Sequence, residues 1–310
     1  MEANLKIREN FPPVFVTSSK AVEASDADFS LWHGDVEKFL RALPKKPIFD
    51  LVITSPPYNI GKEYEEKLEM EDYLKQNEKI ISLIYPLLKE TGSICWQVGN
   101  YIDKKEGSIL PLDIILHPIF AKHNLKLKNR IIWKFGHGLH AKKRFSGRYE
   151  TILWYTKSED YIFNLDDVRI PSKYPGKKHY KGPNKGKYSS NPLGKNPEDV
   201  WEIPNVKGNH VEKTIHPCQF PVGLVERLIL AFTNRGDLVF DPFAGVATTG
   251  VSAALKDRKF VGAELERKYI NIGIKRIEKA LKGNLKYRPH DRPLYDHKKS
   301  KLSIVPEDFT

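Results

Sequence analysis

The sequence predicts an α/β fold with a mostly parallel, Rossmann-like sheet, and two segments far apart in the chain carry that expectation. The first is the apolar run Phe49-Asp50-Leu51-Val52-Ile53, which reads as a buried strand of a parallel sheet and leads into Thr54-Ser55-Pro56-Pro57-Tyr58. The second is Leu238-Val239-Phe240, another strand, followed by Asp241-Pro242-Phe243-Ala244-Gly245-Val246-Ala247-Thr248-Thr249-Gly250 and a helix starting over Val251–Leu255. Gly245 and Gly250 flank a tight turn there, which brings a ligand close to backbone amides at a helix N-terminus. Lys259–Glu264 then reads as a strand ending in an acid.

The elements between these segments alternate. Met70 to about Lys89 reads as a helix, with apolar Tyr73, Ile80, Ile81 and Ile84, and Thr91-Gly92 breaks it. Ser93–Val98 is the next strand, Leu110 to Lys122 a helix, and Arg130–Phe135 and Thr151–Tyr155 two more strands, rich in β-branched and aromatic residues. Leu224–Leu230 is an amphipathic stretch ahead of the second segment. Residues 1 to about 30, with Thr17-Ser18-Ser19-Lys20, read as an arm, 31–158 and 214–281 as two halves of one domain, and 282–310 as a charged tail. From 159 to 213 Pro, Gly, Asn and Lys become frequent and no long period survives.

With 310 residues the chain suits one large α/β domain carrying an insertion. A net charge of +12 and a pI near 9.4 favour a polyanionic partner. Two cysteines, Cys95 and Cys218, build no disulfide framework, and neither sits in a metal-ligand pattern, so no structural metal and a reducing cytoplasm are expected. No signal segment and no apolar run of membrane-spanning length is legible.

The diproline carries the chemistry. Two prolines fix their own φ and restrict the residue before them. The carbonyls of Ser55 and Pro56 are therefore held in place at the carboxyl end of a strand, where open α/β sheets bind ligands. Fixed acceptors beside the ring of Tyr58 suit a planar heterocycle with an exocyclic amino group. Thr54–Tyr58 resembles the catalytic loop of DNA amino-methyltransferases, which methylate adenine N6 or cytosine N4. Asp241–Gly250 resembles the S-adenosylmethionine loop of the same family. Trp32-His33-Gly34-Asp35 and His216-Pro217-Cys218-Gln219-Phe220-Pro221 match further family segments, and the resemblance runs from about Leu31 to Ile277. The catalytic loop precedes the cofactor loop, a circular permutation that resembles the beta group, with a layout similar to the HindIII-type enzymes. Glutamine and RNA methyltransferases generally show the opposite order.

The resemblance implies an S-adenosylmethionine-dependent methyltransferase fold with a mostly parallel, seven-stranded sheet and a small inserted target-recognition region at 159–213. It implies catalysis by Ser55, Pro56, Pro57 and Tyr58 on a flipped base. It also implies cofactor contacts from Asp35, Asp241, Phe243, Gly245, Thr248, Thr249 and Glu264, the last towards the ribose hydroxyls. A modification enzyme of a restriction-modification system is expected. Its cognate endonuclease need not bind it, and monomer and homodimer stay open. A catalytically dead DNA-binding module is the non-enzymatic alternative; intact Ser55, Tyr58, Asp241 and Glu264 speak against it.

Two basic segments offer themselves to double-stranded DNA. Val168–Asn196 holds eight Lys or Arg and no acid, with Tyr174, Tyr180 and Tyr188 interleaved. Its Lys173, Lys177, Lys178, Lys181, Lys185 and Lys187 suit phosphates, although composition alone also fits a solvated loop. Ala121–Tyr149 holds nine Lys or Arg and no acid, among them Lys142, Lys143 and Arg144. His137 and His140 lie in that loop without a third metal ligand. The target base is divided. Ser55 at the head of the motif is the form associated with cytosine N4, whereas Asn59-Ile60 after Tyr58 resembles adenine enzymes, and adenine N6 is preferred.

Overall fold

The computed structural model describes residues 15–17, 28–59, 68–103, 106–136, 138 and 140–296. Most of the expected arm, Ile60, His137 and the tail from residue 297 lie outside the described residues.

The main sheet contains β1 (Phe15–Thr17), β2 (Phe29–His33), β3 (Phe49–Thr54), β4 (Leu88–Val98), β7 (Lys126–Lys134), β8 (Tyr149–Thr156), β9 (Val200–Glu202), β10 (Leu238–Asp241) and β11 (Lys259–Glu264). The two remaining strands, β5 (Asn100–Ile102) and β6 (Ile109–Pro111), pair only with each other. The main order is β1-β2-β11-β10-β3-β4-β8-β7-β9. All neighbours are parallel except β8, which runs antiparallel to both β4 and β7. The six strands read from the sequence form the centre together with β2, making the seven-stranded sheet that the resemblance implies, and each edge carries one further three-residue strand.

Helices cover both faces. On one lie α1 (Val36–Ala42), α2 (Met70–Ile84) and α3 (Leu112–Lys122), packed with Phe49, Val52, Ile94, Trp96 and Phe240. On the other lie α4 (Val222–Phe232), α5 (Thr248–Leu255) and α6 (Arg267–Leu281), packed with Leu51, Ile53, Cys95, Val239 and Phe260. Successive strand residues thus feed opposite cores, which is why β3 is buried along its whole length.

Two boundaries differ most from the sequence pattern. α2 ends at Ile84 rather than near Lys89, because Pro86 lies in the 3-10 turn Tyr85–Leu87 and cannot continue the ladder. β4 begins at Leu88 and runs through Thr91-Gly92, with a register irregularity opposite Phe49 and Leu51. A Cβ on Gly92 would stand 2.9 Å from the Lys89 carbonyl, so this glycine serves a bulge within β4 and not the end of the helix. Buried Asp50 ties the region together: it takes Lys89 Nζ at 2.9 Å and the Leu238 amide at 2.9 Å, joining the starts of β3, β4 and β10.

The segment 159–213 is mixed in character. Asn164 donates to the Ala231 carbonyl, β9 pairs with β7, and Trp201, Ile203 and Val206 are buried against the main body. Residues 173–189 between them are exposed, folded back by the bridges Ile170–Lys195 and Lys178–Tyr188.

β3 and β10 are neighbours, in register at Leu51 with Val239 and at Val52 with Phe240. Chain order reverses between them, and their carboxyl ends open into one crevice, a topological switch point. No helix among the described residues is long and apolar enough to cross a membrane. No group of three or more His, Cys, Asp and Glu suited to a metal occurs among them either.

Candidate active site

A cavity of about 530 Å³ lies at that switch point. Its wall includes Ser55, Pro56, Pro57 and Tyr58 from the loop after β3, and Asp241, Phe243, Gly245 and Thr248 from the loop after β10. Asp35, at the start of α1, and Glu264, at the end of β11, line it as well. Two segments almost 190 residues apart therefore share one wall.

Asp241 joins them. Thr54 Oγ1 donates to its Oδ1 at 2.8 Å, Thr249 Oγ1 donates to its Oδ2 at 2.6 Å, and the Phe243 amide donates to Oδ1 at 3.1 Å. Burial pushes the Asp241 carboxyl up to about 6, against these three donors. Thr249, an expected cofactor contact, is fully buried and lies outside the cavity wall, with its hydroxyl spent on Asp241.

The turn from 244 to 247 is held from several sides. Gly245 has φ of 52° and Ala247 φ of 54°, both in the left-handed region, where the Ala Cβ is strained. Arg276 Nη1 donates to the Val246 carbonyl at 2.6 Å and to Thr248 Oγ1 at 3.0 Å. Glu264 Oε2 accepts the Gly245 amide at 2.8 Å, and its Oε1 accepts the Glu266 amide at 2.7 Å. Each carboxylate oxygen keeps a lone pair for a further donor. Burial raises the Glu264 carboxyl above its ordinary value. Asp35 caps α1, accepting the Lys38 amide at 3.0 Å. A Cβ on Gly245 would lie 3.1 Å from His216 Nε2, so this glycine gives the imidazole its place on the cavity wall.

The Thr54–Tyr58 side carries a network that residue patterns did not disclose. Ser55 Oγ donates to the Tyr58 hydroxyl at 3.0 Å, and that hydroxyl donates to Glu150 Oε2 at 3.3 Å. Gln97 Nε2 donates to the same oxygen. Burial, with the Glu150 charge second, raises the Tyr58 phenol well above its ordinary value, and burial raises the Glu150 carboxyl. Glu150 is the first acid after the basic stretch 121–149, the one sequence signal that singles it out. Tyr58 also packs on Gly99, whose added Cβ would stand 3.1 Å from the ring.

The proposed DNA-facing cations are all exposed. Lys142, Lys143 and Arg144 stand on the loop joining β7 to β8, strands that send Trp133 and Glu150 into the cavity wall. The Phe145 side chain beside them is 100% exposed, an apolar ring that the charge pattern of this stretch does not single out. Lys173, Lys177, Lys178, Lys181, Lys185 and Lys187 stand on the exposed part of the insert. Lys178 there lies over the Tyr188 ring at 5.2 Å and Lys173 over Tyr174 at 5.5 Å. His140 is exposed too, and both Cys95 and Cys218 are free thiols.

A family model described as DNA methylase matches residues 49–275. The chain is 48% identical over 242 residues to the type II methyltransferase M.BglII of Bacillus subtilis, a match covering 78% of this chain and 67% of that one. It is 33% identical over 253 residues to the DNA adenine methyltransferase YhdJ of Escherichia coli (strain K12), covering 80% and 82%. The structure of the PvuII DNA methyltransferase (cytosine-N4-specific) matches with a TM-score of 0.63 at 20% identity, over 92% of this chain and 99% of that one, a likeness of fold.

Proposed function

The chain belongs to the DNA methylase family, and from that membership we propose that it transfers the methyl group of S-adenosylmethionine to the exocyclic amino nitrogen of a base extruded from duplex DNA. The observation that carries this reading is the wall shared by Ser55–Tyr58 and by the turn from Asp241 to Thr248.

An aryl amine is a poor nucleophile because its lone pair is delocalised into the ring. Ser55 Oγ and the Pro56 carbonyl accept its protons and draw the nitrogen towards sp3 geometry. The diproline fixes that carbonyl before substrate arrives, so no ordering is required at the moment of reaction. Tyr58 stacks on the extruded base. The cofactor, bound in the same cavity, supplies an electrophilic methyl group on a sulfonium. Asp241, Phe243 and Gly245 shape its place, Thr248 bonds its carboxylate, Glu264 takes the ribose hydroxyls, and Asp35 lies near its adenine end. The left-handed turn at Gly245 and the lone pairs left on Glu264 fit those tasks.

Adenine N6 is the preferred target, supported by Asn59 directly after Tyr58 and by the likeness to YhdJ. Cytosine N4 is the second reading, favoured by a seryl hydroxyl at the head of the motif. In the same proposal residues 31–158 and 214–281 form the catalytic domain and 159–213 the target-recognition insert. The exposed lysines and Lys142, Lys143 and Arg144 contact phosphates. The enzyme works in the cytoplasm as the modification partner of a restriction endonuclease that it need not touch, as a monomer or homodimer.

The test is incubation of the purified chain with labelled S-adenosylmethionine and duplex DNA, then digestion to nucleosides and mass spectrometry. N6-methyladenine is the expected product. N4-methylcytosine alone overturns the base, and cofactor retained without transfer to DNA overturns the reaction.

A further inference from the structure

Methylation of an amine leaves one proton too many on nitrogen, and the loop that receives the amine opens onto a chain of hydroxyls ending in a carboxylate. Ser55 Oγ to Tyr58 Oη is 3.0 Å and Tyr58 Oη to Glu150 Oε2 is 3.3 Å, with every donor pointing towards Glu150. Gln97 aims its amide at the same carboxylate oxygen and holds it on Tyr58. We propose that Glu150 is the terminal proton acceptor of the methyl transfer, reached through Ser55 and Tyr58, with Gln97 as its positioning residue. The proposal rests on the amino-methyltransferase reading given above.

The step balances. The nitrogen–methyl bond forms as the sulfur–methyl bond breaks, and the sulfur keeps that electron pair. One amine proton passes to Ser55 Oγ, the Ser55 proton to Tyr58 Oη, and the Tyr58 proton to Glu150 Oε2. Serine and tyrosine end as they began, and Glu150 ends as a neutral carboxylic acid that releases its proton to water as product leaves. Tyr58 never carries a full charge in a concerted shift, which matters because burial disfavours its phenolate. A carboxyl raised by burial is a better match for a proton acceptor near neutral pH than an ordinary one.

The titratable groups facing Glu150 are few. Tyr58 meets it from the loop after β3, and Lys207 acts on it from the segment after β9. Cys218 reaches it only through its effect on Tyr58. Gln97 on β4 and Trp133, its cross-strand neighbour on β7, are uncharged.

The experiment compares wild type with Glu150→Gln and Tyr58→Phe in single-turnover methylation of duplex DNA across pH. Glutamine keeps an oxygen for the Tyr58 hydroxyl but takes no proton. Phenylalanine keeps the stacking ring and breaks the relay. Each substitution is expected to slow transfer by about 100-fold or more. The wild-type rate is expected to rise with pH as Glu150 ionises, and the E150Q rate to stay flat. The double variant is expected to be no slower than the slower single, since both cut one path. Binding constants for S-adenosylmethionine and DNA should stay within threefold of wild type. Infrared titration of the protein alone should show, in the difference between wild type and E150Q, one protonated-carboxyl band lost with rising pH beyond those that Asp241 and Glu264 give to both proteins. An E150Q rate within threefold of wild type, an unchanged pH limb, multiplicative losses in the double variant, or no titrating carboxyl absent from E150Q would each overturn the proposal. Wild type that binds cofactor but methylates no DNA fails the parent reading instead, while the infrared result still reports on Glu150.

Discussion

Asp241 shows how one side chain couples stability to function. It is a buried carboxylate with three donors, and burial still raises it from 3.8 to about 6. A raised folded pKa means that the native state binds the proton more tightly than the unfolded chain. The associated stability is complete below about 4 and is lost as pH rises to about 6. Above that the native state carries a charge it holds poorly. Asp241→Asn keeps acceptors for Thr54 and Phe243 and removes the charge. The variant is expected to gain roughly 3 kcal/mol on wild type at pH 7.5, from about two units at about 1.4 kcal/mol each, and to show no gain near pH 4. Urea denaturation at both pH values checks it, and the same variant should lose cofactor affinity. Tyr58→Ala removes stacking worth roughly 1–3 kcal/mol, with turnover falling and cofactor affinity unchanged in calorimetry. Equal loss of both contradicts the role of Tyr58. Asp241 and Tyr58 were legible from motif alone. Glu150 was not, because its role depends on β8 lying beside β4, a pairing across more than 50 residues that no local pattern records.

At the scale of elements, α5 is pressed onto the sheet by small residues. A Cβ on Gly250 would stand 2.6 Å from the Phe260 ring, and one on Gly273 would stand 2.9 Å from Ala247 Cβ. These glycines let α5 and α6 approach β11 and the 244–247 turn, as the third glycine of dinucleotide-binding folds does for its helix and strand. Gly250→Ala is expected to cost about 1–3 kcal/mol through overpacking. It should also weaken cofactor binding, because α5 carries Thr248 at its first position. Thermal unfolding and cofactor titration of one sample test both. The strand, turn and helix here were readable from spacing, and so was every central strand except β2, whose first residues fell in the expected N-terminal arm. The ends of α2 and β4 were not, because apolar periodicity continues past Ile84 while Pro86 and the bulge at Gly92 act on backbone geometry.

At the scale of the molecule, the net charge of +12 is unevenly used. Many lysines of the core elements sit in ion pairs, for example Lys79 with Glu37 and Lys122 with Glu78. The lysines of residues 173–187 face solvent. Replacing Lys177, Lys178 and Lys181 by Gln is expected to flatten the dependence of log affinity on log salt by about two to three, at about 0.9 for each phosphate no longer neutralised. Filter binding over a salt series tests it. An unchanged slope removes the insert from the interface. Phe145→Ala, by contrast, should weaken DNA binding with little change in slope, since its ring carries no charge.

The amino-acid order alone determined the α/β class, the two loops, their order along the chain and a basic charge suited to a polyanionic partner, because each is written in residue types and their places in the chain. Tertiary structure decided what those loops share. Only the pairing of β3 with β10 sets Asp241 between Thr54 and Thr249, and only that of β4 with β8 sets Glu150 behind Tyr58. Strand neighbours are chosen by burial of both sheet faces at once, a property of the assembled sheet that no single stretch of residues holds.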